Sequence, residues 1–218
     1  LHSRNSLLDA SSGNTAIAYA TLLKPLGWKP TICLPSNASA ERKNILKSLG
    51  AELILTSPLE GTDGAQIVAK ETYAANPDKY FYADQYSNDA NWQAHYLTTA
   101  EEIWTQTKGK ITHFVAGLGT TGTFVGTARR LKELGNVQLI SLQPDHPFHP
   151  LEGWKHLATA HRPGIYDDTL ADKTLVIDSS GVFDMIKSIS IHERLFISPS
   201  GAANLLGALA VASQIKEG

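Results

Sequence analysis

Along nearly its whole length the chain alternates short β-rich runs with amphipathic helical stretches, and this alternation constrains its fold more than any other feature. Thr31-Ile32-Cys33-Leu34 and residues 52–56, 79–82, 111–115, 137–142 and 174–177 read as strands. Helical periodicity runs over residues 15–26, 39–49, 64–75, 91–107, 122–134, 181–193 and 201–217. Strands joined by crossovers of about a dozen residues have to pair in parallel, and a parallel sheet needs helices on both faces. The expectation is an α/β fold with mainly parallel sheets. Gly50 and Gly135 stand just past helices, where a positive φ is expected. Residues 143–172 lose the pattern, and Pro144, Pro147, Pro150 and Pro163 mark them as a long irregular connection. Lys108-Gly109-Lys110 is the predicted seam between a lobe of residues 1–109 and one of residues 110–218.

Composition excludes several classes of function. A net charge of −2, with no block of Lys or Arg, argues against a nucleic-acid scaffold and against a polybasic membrane anchor. Cys33 is the only cysteine, which rules out an intramolecular disulfide and any cysteine-rich zinc module. Residues 195–215 carry no charge, but they include the polar Ser198, Ser200, Asn204, Ser213 and Gln214 and hold too few apolar residues to span a bilayer. The first ten residues lack the pattern of a signal peptide, so a cytoplasmic protein is expected. The chain starts at Leu1 and its one methionine is Met185, which points to processing or to missing ends.

Three segments repeat one arrangement of strand, small residues and helix. They are residues 7–15 around Ser11-Ser12-Gly13-Asn14-Thr15, residues 114–123 around Gly117-Leu118-Gly119-Thr120-Thr121-Gly122-Thr123, and residues 196–203 around Ser200-Gly201-Ala202. Backbone amides and small hydroxyls at a helix start make an anion site. In parallel α/β sheets ligands bind at the carboxyl ends of strands. The second segment formally matches the dinucleotide fingerprint Gly-x-Gly-x-x-Gly, with Asp145 downstream as a ribose partner, so a domain binding a nicotinamide dinucleotide stays open at this point. A Walker phosphate loop is excluded, because Thr123 stands where a lysine is required.

Taken in order, the three loops resemble the signatures of the β-family, or fold type II, of pyridoxal-phosphate enzymes, in its cysteine synthase (O-acetylserine sulfhydrylase) branch. Glu41-Arg42, Gly50-Ala51-Glu52-Leu53 and Ala94-His95-Tyr96-x-Thr98-Thr99 leading to Glu102-Ile103-Trp104 extend the likeness almost end to end. Thr120-Thr121, Leu142-Gln143-Pro144 and Pro163-Gly164-Ile165-Tyr166 look most like the cysteine synthase B type. The resemblance implies a three-layer fold of two lobes. The smaller N-terminal lobe would carry the substrate-carboxylate loop and the larger C-terminal lobe the phosphate loop, both lobes being incomplete. It implies pyridoxal 5'-phosphate as cofactor, with Gly119, Thr120, Thr121, Gly122 and Thr123 on its phosphate, Asn14 on its phenolic oxygen and Ser200 facing its ring nitrogen. Ser11, Ser12, Gly13, Thr15 and Gln85 would receive the substrate carboxylate.

The reaction so implied is β-replacement on O-acetylserine with sulfide or thiosulfate, giving cysteine or S-sulfocysteine. The partners are then small molecules, and the whole enzyme a homodimer. Asp84-Gln85-Tyr86 ahead of Ala94-His95-Tyr96 also suggests a cystathionine β-synthase-like enzyme. The family's lysine, which binds the cofactor and shuttles the α-proton, belongs upstream of the Ser-Gly-Asn-Thr loop, yet no lysine precedes Lys24. No catalytic residue is therefore assigned within this chain. It reads as an internal piece of a longer enzyme, inactive alone, with a non-catalytic amino-acid-binding paralogue as the alternative. Lys155, in Glu152-Gly153-Trp154-Lys155, matches the missing lysine neither in place nor in context.

The remaining reactive side chains have ordinary explanations. Cys33 sits in an apolar strand and reads as a buried small hydrophobe. His146, His149, His156 and His161 lack a carboxylate or Cys at ligand spacing, so no metal is expected. His95 reads as a structural helix residue.

Overall fold

The computed structural model describes residues 6–215. They form two compact units, the first reaching to Gln85 and the second starting at Tyr86. This division precedes the seam expected at residues 108–110. The helical segment before that seam packs on a helix of the second unit, and its Trp104 covers both Gly109 and Gly135.

The first unit is a four-stranded parallel sheet. Its strands are β1 (Ser6–Ala10), β2 (Lys29–Pro35), β3 (Glu52–Thr56) and β4 (Tyr80–Tyr82), in the order β3-β2-β1-β4. Between them run α1 (Asn14–Leu23), α2 (Ala40–Ser48) and α3 (Gly61–Ala75). Side chains alternate in direction along β2. Ile32 and Leu34 join Ala16, Ala20 and Leu46 on one face, while Cys33 joins Leu8, Ala65 and Ala69 on the other. Helices α1 and α2 thus cover one side and α3 the other. Ser39 opens α2 by accepting the Arg42 amide at 3.3 Å. Helix α1 stops earlier than its periodicity predicts, because Pro25 turns residues 24–26 into a 3-10 turn.

The second unit holds a three-stranded parallel sheet of β5 (His113–Gly117), β6 (Gln138–Pro144) and β7 (Lys173–Ile177), in that order. Ahead of it lie α4 (Ala90–Ala94), a π-helical turn (His95–Thr99) and α5 (Ala100–Gln106), where the periodicity suggests one uniform helix. Helix α6 (Gly122–Leu134) follows β5, and α7 (Val182–His192) and α8 (Pro199–Ala212) follow β7. Phe114 and Leu139 face Phe124, Ala128 and Leu131 of α6, whereas Ile140 and Leu142 face Val182 of α7 and Ala202 and Ala203 of α8. Each sheet therefore has helices on both faces, which is the three-layer arrangement expected. Residues 145–172 form the irregular connection, without helix or strand.

Two expectations change. Gly50 has φ +87°, as a helix C-terminus predicts, but Gly135 is extended at φ −173°. Its requirement is space, since a Cβ there would lie 2.7 Å from the Trp104 ring. The last helix was expected at 201–217. It begins at Pro199, a favoured first helical position, and ends at Ala212, short of the expected end; residues 216–217 lie outside the described residues. Among the described residues no helix is long and apolar enough to cross a membrane.

Candidate functional site

In the first unit β1 hands over to α1 through Ser11-Ser12-Gly13. The Ser11 Oγ accepts the amides of Gly13 and Ala16, each at 3.3 Å, and so caps a helix whose formal cap, Gly13, has no side chain. With both lone pairs engaged, its proton remains available to donate. Arg42 donates from Nη1 to the Ser12 carbonyl at 3.1 Å, and buried Gln85 donates from Nε2 to the Ala10 carbonyl at 2.7 Å. Asn14 and Thr15 are the first two residues of α1, Asn14 exposed and Thr15 half-buried.

Behind this loop lies Asp9, fully buried, which accepts the Ala10 amide at 2.8 Å on Oδ1 and the Tyr19 hydroxyl at 3.1 Å on Oδ2. Burial is the main force pushing its carboxyl up to about 7, against the lowering effect of those hydrogen bonds. Burial also pushes the Cys33 thiol up to about 12, which suits a packing residue and not a nucleophile.

In the second unit β5 ends at Gly117 and α6 begins at Gly122. Thr121 caps α6 in the left-handed region at φ +74°. Its hydroxyl oxygen is buried without a hydrogen-bond partner among the described residues, and the amides of Gly119, Thr120 and Thr121 meet no protein acceptor there either. Donors without a protein partner at a helix start suit a small anion, so residues 119–123 fit the phosphate of a bound cofactor. The loop is also closely backed. A Cβ on Gly119 would come within 2.4 Å of the Gly153 carbonyl oxygen, and one on Gly122 within 2.0 Å of the Asn91 side chain. Next to Gly153, the Lys155 amide donates to the Leu118 carbonyl at 2.8 Å, while its ammonium lies 5.1 Å from the centre of the Tyr86 ring.

The third small-residue loop differs from expectation. Residues 194–198 pair with no strand among the described residues, and Phe196 is 93% exposed. An extended run becomes a strand only where a neighbour completes its hydrogen bonds. Ser198 caps α8 by accepting the Gly201 amide at 3.1 Å, and its hydroxyl meets that of Ser200 at 3.0 Å.

Three residues not singled out for the site prove to hold these loops. Asn204 accepts the Gly117 amide at 2.8 Å and donates to the Ser200 carbonyl at 2.9 Å, joining the second loop to the third. Asn91 donates to the Thr120 hydroxyl at 3.1 Å, and His95 bridges the hydroxyls of Thr99 at 3.0 Å and Thr123 at 3.2 Å. The only hint in the sequence is the four-residue spacing of 91, 95 and 99, which puts them on one side of a helix. Asp145, the candidate ribose partner, is otherwise engaged. It accepts the Ser179 hydroxyl at 2.8 Å and the Ser179 amide at 3.3 Å, linking the ends of β6 and β7.

Comparison with known proteins agrees with the family resemblance. The chain is 45% identical over 210 residues to a cysteine synthase of Aquifex aeolicus, covering 96% of this chain and 64% of that protein. It is 37% identical to cysteine synthase B of Escherichia coli, covering 94% and 67%. The structure of an O-acetylserine-dependent cystathionine β-synthase from Helicobacter pylori superposes with a TM-score of 0.91 at 30% identity, covering all of this chain and 72% of that one. The chain thus spans less than two thirds of the Aquifex relative's length. The family model for pyridoxal-phosphate dependent enzymes matches residues 2–218, and the chain belongs to that family.

Proposed function

We propose that the whole protein to which this chain belongs is a cysteine synthase. It would replace the β-substituent of O-acetylserine with sulfide or thiosulfate, yielding cysteine or S-sulfocysteine. The observation that carries this reading is the loop at residues 119–123, where three amides and the Thr121 hydroxyl stand without a partner among the described residues at the start of α6. When bound, pyridoxal 5'-phosphate supplies an electron-withdrawing ring conjugated to the substrate's α-carbon.

The chain's own residues bind and orient. Gly119, Thr120, Thr121, Gly122 and Thr123 hold the phosphate through amides and hydroxyls. The Asn14 amide donates to the phenolic oxygen. Ser200 offers the ring nitrogen a hydroxyl where a carboxylate would enforce protonation, which suits elimination chemistry with a modest electron demand. The hydroxyl proton of Ser11, with Ser12, Gly13, Thr15 and Gln85, takes the substrate carboxylate, and fixing that end of a small amino acid orients the rest of it. Lys155 is given no part in this scheme, because it matches the family's lysine neither in place nor in context.

Two measurements test the reading. Equilibrium dialysis of the chain with 4'-deoxypyridoxine 5'-phosphate, which lacks the aldehyde and cannot react with lysines, should show saturable binding displaced by inorganic phosphate. Binding that phosphate leaves untouched would sink the assignment of the loop. The whole protein, assayed with O-acetylserine, should form cysteine from sulfide. Turnover with homocysteine but not with sulfide would favour the cystathionine β-synthase-like reading, which the Helicobacter structure keeps in view.

A further inference from the structure

We propose that Asn91 and His95 are positioning residues that set the hydroxyls of Thr120 and Thr123 as outward donors to the anion held by residues 119–123. The proposal rests on the reading of that loop as the phosphate seat. A hydroxyl can meet an anion with its proton or with its lone pairs, and only the first is attractive. Something behind the loop has to occupy the lone pairs.

For Thr120 this is done twice over. Its Oγ1 accepts from the Asn91 Nδ2 at 3.1 Å and from the Gly122 amide at 3.4 Å, so the proton is the only part left to point away. The Asn91 side chain passes so close over Gly122 that a Cβ there would meet its Oδ1 at 2.0 Å, which ties this arrangement to glycine at that position.

For Thr123 the choice depends on one proton of His95. The ring lies between Thr99 Oγ1 on Nδ1 and Thr123 Oγ1 on Nε2. With the proton on Nε2, the ring donates to Thr123, accepts the Thr99 hydroxyl at Nδ1, and leaves the Thr123 proton for the anion. With the proton on Nδ1, the Thr123 hydroxyl turns inward and shows the anion a lone pair. An anion in the loop therefore selects the Nε2–H form. Burial of the ring lowers its pKa and so favours the neutral state in which this choice exists. The π-helical turn begins at His95, and helix α6 comes so near that a Cβ on Gly126 would lie 2.0 Å from the Trp92 carbonyl oxygen and 2.8 Å from the His95 Cβ. Single π-helical turns of this kind are frequent at functional sites.

The first test needs no variant for its answer. Long-range nitrogen–proton NMR of the labelled chain with inorganic phosphate present, His95 assigned by its loss in His95→Gln, should show Nε2 protonated. A proton on Nδ1 overturns the proposal for His95. The second test compares 4'-deoxypyridoxine 5'-phosphate with 4'-deoxypyridoxine. Asn91→Asp, which can only accept, and His95→Phe should each weaken the phosphate compound about tenfold while leaving the other unchanged, the scale of one hydrogen bond to a charged group. His95→Gln, whose amide N–H can replace the Nε2 donor, should recover most of the loss. Equal losses for both compounds mean general damage and overturn the proposal. Discrimination present in the native chain and intact in Asn91→Asp and His95→Phe overturns it alone. A native chain that never discriminates removes the loop's reading and the proposal with it.

Discussion

The loop at residues 11–15 and the loop at residues 119–123 look alike on paper, but they are held in different ways. The first satisfies itself. Ser11 caps its own helix, Asp9 clasps Tyr19 of that helix, and Gln85 and Arg42 fasten the carbonyls of Ala10 and Ser12. The second is shaped from outside, by Asn91, His95, Asn204 and the Gly153 backbone, and the amides of Gly119, Thr120 and Thr121 and the Thr121 hydroxyl are left without a partner among the described residues. Buried donors without partners cost stability, and a bound anion recovers it. The self-satisfied loop should therefore answer to mutation mainly in folding, and the externally held loop mainly in binding.

The most severe way to break the second loop is Gly119→Ala. The new methyl would meet the Gly153 carbonyl oxygen at 2.4 Å, a backbone atom that no side-chain rotation can move aside. Urea unfolding should show a loss of about 2–4 kcal/mol, with phosphate binding abolished in the dialysis assay. Retained binding would mean that the segment around Gly153 yields easily and that the loop is not shaped from behind.

Asp9 offers the largest lever on the first loop, and its sign is opposite to that of an ordinary surface carboxylate. Its pKa lies at about 7 in the folded chain against an ordinary 3.8, so between those values the unfolded chain has lost a proton that the folded one keeps. Stability should then fall as pH rises through that window, with the full cost present above about pH 7. Asp9→Asn keeps an oxygen for the Ala10 amide, can donate to the Tyr19 hydroxyl, and cannot ionise. It should match the native chain near pH 3.5, already exceed it at pH 5, and lead by about 2–4 kcal/mol at pH 8 in urea unfolding. Parallel curves for the two chains across that range would show that the buried carboxyl ionises without penalty.

Much of the architecture was legible in the sequence because period is a local property. Ile32, Cys33 and Leu34 alternate between two faces whatever else surrounds them. What escaped depends on residues distant in sequence. Gly135 ends α6 as expected, but with an extended backbone and cut to fit Trp104, and the start of the segment 196–203 looked like a strand but finds no partner among the described residues. In the same way the three loops could be recognised from their small residues, while the groups that orient them could not. Beyond the four-residue spacing of 91 and 95, nothing in Asn91, His95 or Asn204 announces that each faces a loop, since a lone polar residue on a helix faces solvent more often than not.

Ser11→Ala is a gentler change that sharpens the contrast. It removes the acceptor for two amides at the start of α1 and should cost about 1 kcal/mol in unfolding. Phosphate binding should stay as it was, because the seat for that anion is built from other residues. If phosphate affinity fell along with stability, the two loops would not be the separate devices described above.

The smallest expected effect on folding, and the most telling, is Thr121→Val. The shape is kept and only a hydroxyl whose oxygen is buried and unpaired disappears. Without ligand, stability should be unchanged or rise by a few tenths of a kcal/mol, since no hydrogen bond is lost and an unsatisfied polar atom is removed. With ligand, 4'-deoxypyridoxine 5'-phosphate should bind about tenfold more weakly, because the lost donor is one the anion would use. Ser11→Ala and Thr121→Val each delete one hydroxyl beside a helix start, yet the first should register in unfolding and the second in binding. A Thr121→Val chain that unfolds more easily and binds as before would reverse the assignment. The Thr121 hydroxyl would then serve the fold, and the unpaired group at the start of α6 would no longer mark where the anion sits.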